Sequence, residues 1–397
     1  MARQTGQVSN SIEQRRRDAG PAPIDYEKKR KRLGNYDFTL LIMVCFLLAF
    51  GFVMLYSSTA YTATLKLGDS LHYLKRQMGA AVLGFAGLAV VSAVDYHWYE
   101  HFRWPFYIGS MVLLFLAMFA GVDLNGSSRW IKIGPIQFQP SEIAKIALIL
   151  LYASICSRHT KGIIPPKKLA IALIPGIACA GFVALSNLST AIIMALICVI
   201  MLYVAHRDTK PFFVLAGIGV LIMALYIAIF SYRADRIKAW LHTEEYASTI
   251  GYQTTQGLYA IGSGGMFGKG LGNSTQKLSA LPEASNDMIF AVICEELGMF
   301  GAVCVILMYI MVIFRLFYIA KRAKDRFGSF IAIGIMIHIA VQVVLHIAVV
   351  TNLFPNTGVT LPFISYGGTS VAILIAEMGL ALSVSRQMEY EDTVEDG

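Results

Sequence analysis

The chain has 397 residues, of which 56% are hydrophobic and only 15% are charged, and its formal net charge is +8. Its mean hydropathy is +0.60, whereas an ordinary soluble domain is about one quarter charged, so the composition excludes a soluble enzyme. The basic excess is typical of the positive-inside bias of membrane proteins, and no nucleic acid is expected as a partner.

The first element is a polar, basic segment, residues 1–36, which predicts a disordered cytoplasmic tail and not a cleaved signal. Ten apolar stretches follow, each able to cross a bilayer core of about 30 Å as a helix. They are 37–57, 77–95, 105–121, 138–156, 168–185, 187–205, 211–231, 287–319, 328–350 and 363–385. The sequence therefore predicts an all-α polytopic membrane protein with ten transmembrane helices over 37–385, followed by an acidic cytoplasmic tail over 386–397.

The loops between these spans differ in charge. With residues 1–36 on the inside, the inside segments carry most of the lysines and arginines, which places both termini in the cytoplasm. The loop between the seventh and eighth spans, residues 232–286, is then the largest one outside. Within it, residues 233–246 and 251–261 are predicted to form short amphipathic helices at the membrane surface.

The eighth stretch is longer than a membrane crossing requires. Residues 287–319 correspond to about 50 Å of helix at ~1.5 Å per residue, whereas about 30 Å crosses the core. Two explanations are open. Either the excess stands above the outer surface as a ledge that carries Asp287, or the helix is tilted or kinked, with Gly298 and Gly301 as the candidate positions.

Charged side chains within the spans are candidate functional residues, because a charge at mid-bilayer costs at least ~2.5 kcal/mol. Glu142 and Lys145 share one helix face. They either neutralise each other or line a polar cavity that opens to the outside. Glu295 and Glu296 follow in the eighth span, and Glu377 lies deep in the last one.

A row of polar residues also occurs in the ninth span. His338, Gln342 and His346 are spaced by four residues, so they share one face of the helix. Such groups serve as a proton relay, as metal ligands or, most commonly, as hydrogen-bonding partners between helices.

The stretch GSGGMFGKGLGNS, residues 262–274, is rich in glycine. It fails as a Walker A motif because Gly270 follows Lys269 where serine or threonine is required. Backbone N–H groups beside Lys269 and Lys277 fit a phosphate site, and a re-entrant turn fits the same residues equally well.

Three long motifs occur in order along the chain: SRWIKIGPIQFQPSEIAK, YQTTQGLYAIGSGGMFGKGLGNSTQKLSALPEASNDMIFAVICEELG and FPNTGVTLPFISYGGTS. Together they resemble the SEDS family (shape, elongation, division and sporulation), whose members include RodA and FtsW. The resemblance covers residues 36–386, and GLGNSTQKLSALPEA is more similar to the division branch, FtsW. The chain departs from the family at Asn187, where an acid is usual, and at Ser285 and Asn286, where His-Thr is frequent.

The resemblance implies a peptidoglycan glycosyltransferase in the bacterial cytoplasmic membrane. It would polymerise lipid II, an undecaprenyl-pyrophosphate-linked disaccharide-pentapeptide, at the outer face during septal wall synthesis. The implied protein partners are a cognate class B penicillin-binding protein, which is a transpeptidase, and divisome proteins. The family's essential acid aligns with Asp287, and the preceding Pro-Glu pair aligns with Pro282 and Glu283.

The implied reaction converts an α-linked donor into a β-linked product, so it inverts the anomeric carbon. Pyrophosphate leaves without a proton, so one base suffices, with cations around the phosphates. We expect Asp287 to take the acceptor proton; capping of the eighth helix is its alternative role. The candidate substrate-binding residues are Arg129, Lys132, Glu142, Lys145, Lys269, Lys277, Glu283, Glu295, Glu296 and Ser365. The candidate cofactor is a divalent cation, Mg²⁺ or Mn²⁺, and no organic cofactor is expected.

Three other functions are open on the sequence. The chain is a flippase that moves lipid II across the bilayer, an elongation-type, RodA-like polymerase, or a non-catalytic scaffold that recruits a transpeptidase. A flippase requires a polar path through both leaflets, whereas the dense polar motifs of this chain lie in its outer half.

Overall fold

The computed structural model describes residues 36–120, 122–124, 127–133, 136–159, 165–229, 231–279 and 281–388. Residues 1–35 of the predicted basic tail and residues 389–397 of the predicted acidic tail lie outside this range. One compact unit begins at Tyr36.

Helices dominate the described chain, and ten of them match the ten predicted spans. Seven are long and apolar enough to cross a membrane, and three shorter apolar helices complete the set. In chain order the helices are α1 (Phe38–Leu67), α2 (His72–Ala93), α3 (Tyr96–His101), α4 (Arg103–Ala120), α5 (Pro140–Ser157), α6 (Pro166–Ala184), α7 (Leu188–Ala205), α8 (Lys210–Ile229), α9 (Ser231–Leu241), α10 (Tyr252–Gly264), α11 (Gln276–Ser279), α12 (Ile289–Arg322), α13 (Arg326–Val350) and α14 (Thr369–Ser385). The predicted all-α polytopic membrane protein with ten transmembrane helices is confirmed.

Two ion pairs between α1, α12 and the long loop bracket an apolar slab. At one end Arg315 Nε lies 2.8 Å from Asp37 Oδ2. At the other end Lys277 pairs with Glu296, whose carboxylate also accepts from Ser57 Oγ at 2.7 Å. Ser57 is about 20 residues from Asp37 along α1, and Glu296 is about 20 residues from Arg315 along α12. Each separation corresponds to about 30 Å at ~1.5 Å per residue. This separation matches the hydrocarbon core of a bilayer.

A small antiparallel sheet connects α4 to α5, which the sequence analysis did not predict. Its strands are β1 (Val122–Leu124), β2 (Ser127–Ile133) and β3 (Ile136–Phe138), paired in that order. The signal was present in the sequence, since Ile131-Lys132-Ile133 and the residues of β3 alternate between apolar and polar on either side of a Gly-Pro pair. Thr369 Oγ1 donates to the Gln137 carbonyl at 2.7 Å, which fixes β3 to the start of α14.

Helix α12 breaks at Gly298, which has φ 67° and ψ −165°, a backbone region open mainly to glycine. The glycine-rich loop repairs the break with four hydrogen bonds. They are Lys269 N to Glu295 O (2.9 Å), Gly270 N to Glu296 O (2.9 Å), Met299 N to Gly265 O (2.9 Å) and Phe300 N to Met266 O (3.1 Å). The loop thus takes both carbonyls and both N–H groups that a continuous helix would have paired with each other.

The break separates α12 into an inner part, 299–322, and an outer part, 289–297. The inner part is about 36 Å long at ~1.5 Å per residue, so it crosses the core by itself. The outer part lies beyond that crossing, and Asp287 lies just before its first residue. The ledge and the kink at Gly298 therefore occur together, while Gly301 lies within the helix.

The two predicted amphipathic helices are present as α9 and α10, but α10 does not lie apart at the membrane surface. It packs along the outer part of α12 and runs in the same direction. Gly257 faces Met288 and Ala291, and a Cβ built on Gly264 would lie 1.9 Å from the Cys294 carbonyl oxygen. The glycines of α10 allow this close approach, which helical periodicity alone did not reveal.

Candidate active site at the outer end of the bundle

Asp287 lies in the turn that leads into α12. The helix begins at Ile289, and its N-cap is Met288, whose own side chain makes no capping hydrogen bond. The Asp287 side chain is half-buried. Its Oδ2 lies against the exposed Gly358, on which a Cβ would come within 2.9 Å of this oxygen. The carboxylate thus reaches the surface beside the loop that connects α13 to α14.

That loop holds the turn of Asp287 in place. Tyr366 N donates to the Ser285 carbonyl at 2.9 Å. Ser365 Oγ donates to the Asn286 carbonyl at 2.7 Å and accepts from Leu361 N at 2.8 Å. The Ser365 hydroxyl is buried, with 2% of the residue exposed, and its hydrogen bonds fix the backbone next to Asp287.

A buried amide that the sequence analysis missed supports the same loop from α2. Gln77 Nε2 donates to the Ser365 carbonyl at 3.2 Å. Gln77 Oε1 accepts from Gly367 N at 3.3 Å and from Gly368 N at 3.0 Å. Its signal in the sequence is an uncharged polar side chain at the start of an apolar span. Burial raises the pKa of the neighbouring Tyr366 phenol, which keeps it protonated.

Glu283 shapes the turn itself. Its φ of 52° is in the left-handed region, and its carbonyl accepts from Asn286 N at 3.0 Å and from Met288 N at 3.3 Å. Its exposed carboxylate accepts from Asn286 Nδ2 at 2.5 Å. Glu283 and Asp287 therefore belong to one tight turn, in which Asn286 links them.

Glu295 is fully buried and organises the glycine-rich loop. Its carboxylate accepts from Lys269 Nζ at 2.7 Å, from Thr275 N at 3.1 Å, from Thr275 Oγ1 at 3.0 Å and from Ser274 Oγ. Only a third of the Lys269 side chain is exposed. Glu295 thus holds loop residues and does not face an open cavity.

Glu296 has the same kind of role one residue later. It pairs with Lys277, and Lys277 Nζ also donates to Ser57 Oγ at 2.9 Å. The Lys277 side chain is only 3% exposed. The two Glu–Lys pairs fasten the glycine-rich loop and the start of α11 to α12, and they neutralise Lys269 and Lys277, two of the cations that the sequence predicted at the phosphates.

The charged residues inside the bundle form one buried chain. Lys145 Nζ lies 3.0 Å from Glu142 Oε1 and donates to Gln342 Oε1 at 3.2 Å. His338 Nε2 lies 3.0 Å from the same Gln342 oxygen, and His338 Nδ1 lies 2.9 Å from Glu377 Oε1. Glu142 and Lys145 therefore neutralise each other, and the ninth-span residues hydrogen-bond between helices.

This chain is connected to the loop beside Asp287. Gln342 Nε2 donates to the Thr360 carbonyl at 3.0 Å, and His346 Nδ1 donates to the Val359 carbonyl at 2.7 Å. Val359 and Thr360 directly follow Gly358, the neighbour of the Asp287 carboxylate. The buried polar residues thus position the wall of the site from below.

Two further candidate cations, Arg129 and Lys132, belong to the sheet. Arg129 belongs to β2, but its side chain lies outside the described residues. Lys132 is exposed and pairs in register with Gln137, so it lies on the sheet that is fixed to the start of α14. Asn187, the departure from the family pattern, caps α7 by accepting from Thr190 N at 3.3 Å.

Within the described part of the chain, no three histidine, cysteine, aspartate or glutamate side chains lie close enough to hold a metal ion. Asp287 itself supplies one carboxylate at the surface. Mg²⁺ commonly binds through one or two carboxylates together with substrate phosphates and water, so this donor set suits a cation that arrives with a phosphate ligand.

Comparisons with known proteins identify the family of this chain. A family model described as cell cycle protein, covering FtsW, RodA and SpoVE, matches residues 38–390. The chain is 37% identical to a probable peptidoglycan glycosyltransferase FtsW of Trichlorobacter lovleyi, over 91% of this chain and 96% of the relative. It is also 37% identical to stage V sporulation protein E of Bacillus subtilis, over 89% and 98%.

Solved structures give the same result. One chain of a peptidoglycan synthase complex, described as coordinating polymerization and crosslinking, superposes with a TM-score of 0.76 at 26% identity, over 88% of this chain and 98% of that one. The rod shape determining protein RodA of Thermus thermophilus superposes with a TM-score of 0.67 at 26% identity, over 90% and 98%. The chain belongs to the FtsW/RodA/SpoVE family.

Proposed function

We propose that this protein is a peptidoglycan glycosyltransferase that polymerises lipid II at the outer face of the cytoplasmic membrane. The observation that carries the proposal is the placement of Asp287. It is a half-buried carboxylate on a turn held by Ser365 and Tyr366, at the tip of the ledge formed by α12. The names of the relatives support the same reaction class.

The displacement requires one proton transfer. The hydroxyl oxygen of the acceptor sugar attacks the anomeric carbon of the donor, and the carbon–oxygen bond to the lipid pyrophosphate breaks. Asp287 takes the hydroxyl proton, and the pyrophosphate leaves with the electron pair of the broken bond and stays on its lipid. A rigid turn suits this role because a base must remain within hydrogen-bond reach of the proton that it removes.

Cations must stabilise the departing pyrophosphate. Lys132 is the favoured side chain because it is exposed on β2, and Arg129 lies on the same strand. Lys269 and Lys277 are already neutralised by Glu295 and Glu296, so we assign them to the loop. A divalent cation, Mg²⁺ or Mn²⁺, would supply further charge at the phosphates, with Asp287 as the candidate ligand.

We further propose a role at the division septum, together with a class B penicillin-binding protein and other divisome proteins. The FtsW names among the relatives support the division role, and the similarity to a synthase complex supports a crosslinking partner. The charge distribution of the loops favours cytoplasmic termini.

The decisive experiment incubates purified protein with lipid II in detergent and compares two matched substitutions. Asp287→Asn removes the base but keeps its shape, and we expect a loss of glycan strands of about 10²–10⁴-fold, the usual contribution of a general base. Asp69→Asn makes the same change in the exposed loop after α1, where Asp69 pairs with Lys75 at 2.9 Å and accepts from Leu71 N at 3.0 Å; this variant should polymerise normally.

Strands of normal yield from Asp287→Asn would refute the proposed base. If the protein in liposomes moved the lipid II headgroup across the bilayer and formed no polymer, that result would favour the flippase instead. Omitting Mg²⁺ and Mn²⁺ from the same assay tests the cation.

A further inference from the structure

A cleft opens at the outer end of the molecule, between α9, α10 and the loop that connects α13 to α14. It encloses about 650 Å³ of empty space, including its open mouth. Its polar walls come from Arg236 and Trp240 of α9, Gln253 and Thr254 of α10, and Asn356 of the loop. None of these residues was singled out as a site residue by the sequence analysis.

The walls of the cleft are tied to one another. Trp240 Nε1 donates to the Asn352 carbonyl at 2.9 Å, and Arg236 Nη1 donates to the Asn356 carbonyl at 3.1 Å. Asn356 Nδ2 donates to Gln253 Oε1 at 3.0 Å. Each of the three elements is therefore bonded to another, which makes the cleft a built feature and not a gap between independent segments.

The cleft adjoins the carboxylate of Asp287. Asn356 lines the cleft, and Gly358, only two residues further on, lies against Asp287 Oδ2. Two residues of extended chain span about 7 Å. A ligand in the cleft that follows this loop would therefore reach the position at which Asp287 acts.

The side chains in the cleft are suited to a neutral, hydroxylated ligand. An indole offers an apolar face with a polar edge, and the Asn356–Gln253 hydrogen bond uses only part of the capacity of each amide. Thr254 adds a hydroxyl. Among the described lining residues Arg236 is the one cation, whereas a pyrophosphate requires several cations or a metal. These groups match sugar rings with hydroxyl and N-acetyl substituents better than they match a phosphate.

We propose that this cleft is a carbohydrate subsite that holds the glycan strand next to Asp287. The inference rests on the proposed function and adds the part of the substrate that this surface binds, which is N-acetylated sugar without lipid or phosphate. A strand held here stays beside the base between successive additions, so the subsite would set how long each strand grows before it is released.

Two matched substitutions on α10 test the subsite. Thr254→Val keeps the shape of a residue in the cleft wall and removes its hydroxyl. Thr255→Val makes the same change one residue away, where the hydroxyl bonds to the Gly251 carbonyl at 3.0 Å. Gln253→Ala is a stronger perturbation, because it also removes the bond to Asn356.

The first measurement is calorimetric titration of the full chain in detergent with a soluble N-acetylglucosamine oligomer. We expect saturable binding to the unaltered protein and to Asp287→Asn. Thr254→Val should bind about tenfold more weakly, the effect of one lost hydrogen bond, and Thr255→Val should bind normally. Because this probe lacks lipid and pyrophosphate, its binding is measured whether or not the protein polymerises lipid II.

The second measurement is strand length from lipid II. Thr254→Val and Gln253→Ala should give shorter strands than the unaltered chain and Thr255→Val. A loss of folding would instead lower the thermal midpoint, which is measured for each variant in the same detergent. The subsite is refuted if the unaltered chain does not bind the oligomer, if both threonine variants bind it equally, or if inorganic pyrophosphate displaces it. Absence of any polymer from the unaltered chain would refute the proposed function instead.

Discussion

The position of the Asp287 carboxylate can be perturbed without changing Asp287. At Gly358, an added Cβ would lie 2.9 Å from Asp287 Oδ2, and the next nearest atoms, at 3.7 and 3.9 Å, belong to the same carboxyl group. Ordinary contacts begin near 3.4 Å. Gly358→Ala must therefore push the carboxylate by about 0.5 Å, and since a misplacement of ~1 Å can cost about 10²-fold in rate, we expect a decrease of about tenfold in kcat.

Stability should change little in this variant. The backbone of Gly358 is not in the left-handed region, and replacing glycine by alanine at a compatible position stabilises a protein by about 0.4–1 kcal/mol through the unfolded state. The matched control is Gly367→Ala in the same loop, where the nearest atom to the new Cβ is Ser370 Cβ at 3.4 Å. It should keep normal activity.

The assay is lipid II polymerisation under saturating substrate, with the thermal midpoint of each variant measured in the same detergent. Activity of Gly358→Ala within about twofold of the unaltered protein would contradict the argument, because misplacing a reacting group by ~0.5 Å should cost more than that. An equal loss in Gly358→Ala and Gly367→Ala would do so as well. A fall in the midpoint that parallels the fall in kcat would show that the loop, and not the carboxylate, was perturbed.

The remaining predictions concern the ledge. Gly264→Ala should lower the thermal midpoint sharply, because its Cβ would lie 1.9 Å from the Cys294 carbonyl oxygen. The control is Gly262→Ala on the same helix, whose Cβ meets no atom within 4 Å and which should leave the midpoint unchanged or slightly raised. Equal midpoints of the two variants would contradict the packing of α10 on α12. Glu296→Gln leaves Lys277 buried without its counter-charge and should destabilise the protein by about 3–5 kcal/mol, of which the additional substitution Lys277→Met should restore a large part. Denaturant unfolding measures the stability of each variant. If the losses caused by the two single substitutions simply added in the double variant, that result would contradict a buried ion pair.

The sequence predicted the membrane architecture well because the spans are defined by local composition. Each of the ten apolar stretches became a helix, although ends shifted by up to about ten residues, as at Leu67, where the helix continues above the core. In lipid, backbone groups must be satisfied within the segment, so an apolar stretch of this length has few alternatives to a helix. The sheet between α4 and α5 was not predicted, because each of its strands is short and is not subject to this constraint.

The candidate site was predicted in part. The motif led to Asp287 and to the loop with Ser365, but not to Gln77, whose partners lie almost 300 residues away. Local sequence also gave no sign of the cleft beside Trp240, since its walls come from three separate segments. Contacts of this kind depend on the arrangement of distant elements, which one sequence does not display.

The sequence by itself determined that the chain crosses the membrane in ten helices and carries several acids in or near its outer half. Only the tertiary structure decided which of those acids are buried beside a lysine. Glu142, Glu295 and Glu296 each pair with one lysine, whereas Glu283 is exposed and Asp287 is half-buried beside an exposed glycine. The physical reason is that a carboxylate's role depends on its neighbours in space, and here those neighbours come from other helices and loops of the chain.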